Sequence, residues 1–122
     1  MFKEFFRQRE AQRLNRDAVA IIEADTHTHD QKYLAAIAAQ LDSSLKVASQ
    51  SSAERMMQVM KNSHRKARDE RNQVNLSAAT LAIIYLRAKE LGEAAQPARD
   101  AVERFAGKYC PIAFVDGWEQ EW

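Results

Sequence analysis

The sequence predicts an all-α fold: a bundle of four to five helices with a short extended C-terminal segment packed on it. Three observations lead there. Only three Gly and two Pro occur in 122 residues, so helix breakers are few. A composition 46% apolar and 29% charged is that of a globular protein. Apolar residues recur at three- and four-residue spacing in several separate segments. A chain of this length can bury a workable core without staples, and residues 1–122 read as one domain.

The first helix is predicted over 2–24, where Ala11, Leu14, Ala18, Ile21 and Ile22 share about one third of the helix circumference. Phe2, Phe5 and Phe6 fall almost opposite that stripe. Either the first turn tucks under a neighbouring helix of the same chain, or the Phe cluster is a docking knob for another subunit, a partner or a membrane surface.

Residues 25–30, Asp-Thr-His-Thr-His-Asp, are polar and rich in cap formers, and read as the connection to the second helix. His27 and His29, two apart on extended backbone, would point the same way. With Asp25, Asp30 or Glu23 adding oxygen ligands they form the one stretch resembling a metal site, suited to Zn, Cu, Ni or Fe. A polar turn capped by Thr28 or Asp30 explains the same residues, and no cofactor is expected.

The second helix, 30–49, has the cleanest pattern: Leu34, Ile37/Ala38, Leu41, Leu45 and Ala48 make one narrow seam. Ser51 to Glu54 fits a capping box, which favours a break or kink at 49–52 and a third helix over 52–73. An unbroken helix is compatible with the same stripe. Met56, Met57 and Met60 give the third helix an adaptable apolar patch. From 61 to 73 only Ala67 is apolar, so that end should be a solvated helix or the tip of a helical hairpin.

The fourth helix, 76–91, carries no charge from Leu76 to Leu86. Val74, Ala78, Leu81, Tyr85 and Ala88 make one stripe, and Leu76, Ala79, Ile83 and Leu86 another on the far side. A helix with two apolar faces is either central or shared across a subunit interface. Asn75 or Ser77 can cap its start and Gly92 its end. Pro97 suits the first turn of a last helix, 97–108, in which Ala98, Ala101, Val102, Phe105 and Tyr109 align until Gly107 loosens it. Cys110-Pro111 forces extended backbone, and Phe114 and Trp118 should lie against the helices.

The net charge of +1 is unevenly spread. Residues 1–16 and 61–73 each hold five Lys or Arg against two acids, and 93–122 hold three against six. Lys61, Arg65, Lys66, Arg68 and Arg71 could meet nucleic-acid phosphates, although Asp69 and Glu70 interrupt them and no aromatic residue is interleaved for stacking.

Phosphate-cradling glycine loops, G-x-S-x-G, HExxH and CxxC motifs are absent, so catalysis is not expected. The single cysteine, Cys110, cannot form an intramolecular disulfide, and the N-terminus lacks a signal-peptide apolar region, which together suggest the cytoplasm. The longest apolar run is about half of what a membrane span needs.

The predicted function is a non-catalytic protein–protein interaction or regulatory module acting as a homo-oligomer. Its interface would draw on Phe2, Phe5, Phe6, Leu76, Ile83, Leu86, Trp118 and Trp122. The alternatives are a nucleic-acid-associated accessory protein using 61–71, and a metal-binding protein at His27 and His29.

Overall fold

The computed structural model describes residues 2–48 and 53–110. Their backbone is 94% helical. The elements are α1 (Phe2–Thr28), α2 (Gln31–Ala48), α3 (Ala53–Asp69), α4 (Gln73–Leu91), a 3₁₀ turn (Gly92–Ala95) and α5 (Gln96–Tyr109). The fold is a helical bundle, and no strand occurs among the described residues. The kink predicted at 49–52 and the extended strip with Trp118 and Trp122 lie outside the described residues.

α4 is the central element, in contact with α1, α2, α3, α5 and the 3₁₀ turn. Most of both of its apolar faces is therefore covered by its own chain. Ala78, Leu81, Tyr85 and Ala88 are buried on one face, and Ala79 and Leu86 on the other. This corrects the expectation for Leu86, which was assigned to a partner interface and is only 1% exposed. Helices packed around α4 leave Leu86 no outward surface. Leu76 and Ile83 keep part of theirs.

The other helices bury the stripes that their spacing predicts. Leu34, Ile37, Ala38, Leu41 and Leu45 turn inward from α2, and Ala98, Ala101, Val102 and Phe105 from α5. Small side chains dominate where α1 meets the 3₁₀ turn and α5: Ala11, Ala18, Ala95 and Ala98 are all fully buried. Interaxial distance follows side-chain size, so these elements approach closely.

One consequence of that approach is a cap supplied from another helix. The N-cap position of α5 is Ala95, which offers no side-chain acceptor, with Pro97 in the first turn. Asn15 of α1 takes that role. Its Oδ1 accepts from the Ala98 N–H at 2.9 Å, and its Nδ2 donates to the Ala94 carbonyl at 3.0 Å.

Three helix ends differ from those predicted. α1 continues to Thr28 rather than stopping at 24: the His29 N–H still donates to the Asp25 carbonyl at 3.0 Å, and the Thr26 and Thr28 hydroxyls satisfy themselves on the Ile22 and Ala24 carbonyls within the helix. The Asp30 carboxylate then accepts from the Tyr33 N–H at 2.9 Å and starts α2. α3 ends at Asp69, four residues early. Arg71 adopts left-handed backbone with φ 55°. The Asn72 N–H donates to the Ala67 carbonyl at 2.8 Å, and the Arg71 N–H to the Arg68 carbonyl at 3.2 Å. These two bonds form a Schellman closure. Asn72 rather than Asn75 or Ser77 caps α4, its Oδ1 accepting from the Asn75 N–H at 3.1 Å. α3 and α4 are thus a tight helical hairpin. Finally, α5 passes through Gly107 without interruption.

Candidate functional site

The packing around α4 is open on one side. α1 packs on α5 and α5 on α2, whereas α3 packs chiefly on α4 and at most marginally on α1. Between α1 and α3 runs a groove floored by an α4 stripe that includes Thr80, Ile83 and Arg87. One half, about 820 Å³, has Leu14 of α1 and Met57 of α3 as its apolar walls. The other half, about 460 Å³, is walled by Asp17 and Ile21 on one side and by Lys61, His64, Arg65 and Arg68 on the other. Lys61 and Ile83 line both halves, so the groove is continuous.

Its two ends differ electrostatically. In the larger half, Arg87 donates to both oxygens of Glu10 at 2.7 Å and to Glu90 at 2.7 Å. Those hydrogen bonds hold the Glu10 carboxyl below its ordinary range and raise the affinity of Arg87 for its proton. The cation is thereby matched within the fold, and it ties α1 to α4. In the smaller half, Lys61, Arg65 and Arg68 recur at four- and three-residue spacing, which stacks them on one side of α3. Arg68 also approaches Asp69 at 3.5 Å, but both side chains are well exposed and such a pair contributes little.

The five basic residues named for phosphate contact are therefore divided. Lys61, Arg65 and Arg68 line the groove, while Lys66 and Arg71 are exposed outside its lining. Asp17 faces the basic wall.

The N-terminal Phe cluster is also placed. α1 is one continuous helix, and its residues 2–9 are all exposed. Phe2, Phe5 and Phe6 are 80%, 55% and 63% exposed. They do not tuck under a neighbouring helix, because the elements that cover α1 bury it only from Ala11 onward. The Phe5 and Phe6 rings meet edge to face at 5.7 Å, and the Arg9 guanidinium lies 5.7 Å from the Phe5 ring.

The His27/His29 stretch is not extended backbone. His27 belongs to the last turn of α1 and is exposed, whereas His29 stacks on Tyr33 with centroids 3.9 Å apart. Residues two apart on a helix face different directions, so the shared aim expected of the two imidazoles is lost. Among the described residues no group of three or more His, Cys, Asp or Glu is arranged to hold a metal.

The same corner holds Asp25, which is buried although sequence reasoning placed it in a polar turn. The stripe of Ala11, Leu14, Ala18 and Ile21/Ile22, continued one step, reaches position 25; that periodicity was the available signal. Ser77 donates to its Oδ1 at a long 3.5 Å, and His29 Nε2 lies 3.8 Å away. Its Oδ2 has no hydrogen-bond partner among the described residues. Burial pushes the carboxyl above its ordinary value, against the opposing pull of Ser77 and His29.

A carboxyl that binds its proton more tightly folded than unfolded lowers stability as pH rises from its ordinary 3.8 through the raised folded value. Glu10 acts oppositely, its contribution being lost as pH falls through its depressed value. Asp25→Asn should therefore raise neutral-pH stability by about 1 kcal/mol and remove the first slope alone. Urea titrations of both proteins between acid and neutral pH measure this, and parallel pH curves would refute it.

Compared with known protein families, curated proteins and solved structures, the chain matches none. No helix among the described residues is long and apolar enough to cross a membrane.

Proposed function

We propose that the protein is a small, non-catalytic helical interaction module that acts as a homo-oligomer. The observation that carries this is the Phe2/Phe5/Phe6 knuckle on the first turns of α1, outside the chain's own core. Three aromatic side chains at this exposure present roughly 400 Å² of apolar surface, in the range of the largest patches on ordinary monomers. Pairing two copies would hide roughly twice that, an interface of weak-complex size, so association belongs at micromolar concentration. The larger half of the α1/α3 groove supplies a second surface, with Leu14 and Met57 as its apolar walls. A cytoplasmic setting is part of the same reading, which rests there on the lone, free thiol of Cys110.

Sedimentation equilibrium at micromolar concentration tests it. The wild-type chain should give a multiple of 13.9 kDa. Replacing Phe2, Phe5 and Phe6 together by Ser should return the monomer with its thermal midpoint unchanged, since none of the three is buried. A wild-type monomer under these conditions would overturn the reading.

A further inference from the structure

The cationic half of the groove and the acidic end of the chain complement one another. Residues 111–122 hold Asp116, Glu119 and Glu121 and no basic residue, interleaved with Ile112, Phe114, Val115, Trp118 and Trp122. The smaller half of the groove offers the matching chemistry: Lys61, Arg65 and Arg68 on one wall, above Ile21, Ile83 and Ile84. We propose that this half of the groove is the seat of residues 111–122 of the same chain, bound intramolecularly.

Reach is no obstacle. The end of α5 lies beside α1, where Tyr109 shares a cleft with Ile22 and Thr26. The next residue of α1, Ile21, already lines the groove. The tail has only to pass around one helix, about 10–12 Å across, and twelve extended residues span up to roughly 40 Å. The nearer cleft between α1 and α5 is the weaker seat. It offers about 220 Å³ against about 460 Å³, and sets Arg104 and Lys108 against Glu23. Charge and volume both favour the groove. The knuckle on α1 plays no part in this contact, so the proposal does not depend on self-association.

Trp118 and Trp122 are the two tryptophans of the chain, which makes intrinsic fluorescence a specific reporter of the tail. In the full-length protein their emission should be that of partly sheltered indole, with restricted quenching by acrylamide. Arg65→Glu/Arg68→Glu should shift the emission to the red and remove the protection, with helical circular dichroism unchanged because both residues are exposed. Adding Glu119→Lys/Glu121→Lys to that variant should restore the wild-type signal. Arg104→Glu/Lys108→Glu should leave it unmoved.

Several results would overturn the seat. Wild-type emission at the wavelength of water-exposed indole is one, and insensitivity to Arg65→Glu/Arg68→Glu is equally fatal. If the wall charges were needed to retain duplex DNA at low salt but left the emission unchanged, the wall would be a phosphate surface instead. A signal that follows protein concentration would assign the tail to a second copy. The mass measured by sedimentation is read separately, so failure here and failure of self-association are distinguishable.

Discussion

Leu81→Ala should destabilise the protein by about 3 kcal/mol and lower its thermal midpoint by roughly 10–15 °C. Leu81 sits at 0% exposure on the central helix, which every other helix touches. Truncation there removes transfer free energy and leaves a cavity that surrounding helices cannot close without shifting several interfaces together. Against a total stability of about 5–15 kcal/mol, this is a large fraction. Leu81→Met, which nearly conserves volume, should cost less than about 1.5 kcal/mol. Urea denaturation of the two variants is the measurement. A Leu81→Ala loss below about 1 kcal/mol would contradict the central position of α4.

Asn15→Ala should cost about 2 kcal/mol, more than the partial burial of that side chain suggests. The change removes two hydrogen bonds at once and strands the N–H of buried Ala98, while the exposed Ala94 carbonyl turns to water, at a helix start whose own N-cap residue is alanine. Asn15→Asp restores the acceptor for Ala98 but cannot donate to Ala94, so its loss should fall between wild type and alanine. Thermal unfolding of the three proteins gives the order. An aspartate variant as unstable as the alanine one would argue against a capping role.

The parts of the fold that were legible in the sequence are those decided within one helix. The α2 seam and the α5 stripe were readable because apolar spacing alone determines which side turns inward. The two faces of α4 were readable too, but not their meaning, because a central helix and a subunit interface demand the same pattern. Helix ends were misjudged wherever a residue did something its type rarely does. Arg71 takes left-handed backbone usually left to Gly or Asn, and so ends α3 early. Asn15 looked like one polar residue among many, and its role exists only because α1 lies against the start of α5. The groove was not legible at all: it follows from which helices fail to meet. Of the residues assigned to phosphate contact, helical spacing alone would have separated Lys61, Arg65 and Arg68 from Lys66.

The open side of the bundle has a dynamic consequence. α3 buries only Met56, Met60 and Ala67 among its described side chains, and its main support is α4. A helix fastened along one edge can detach at a free-energy cost well below that of global unfolding, pivoting on the short turn at 70–72. Its amide protons should exchange with solvent sooner than those of α4 and α5. Early exchange confined to α3 would mean that the groove can widen while the core that carries its floor stays intact.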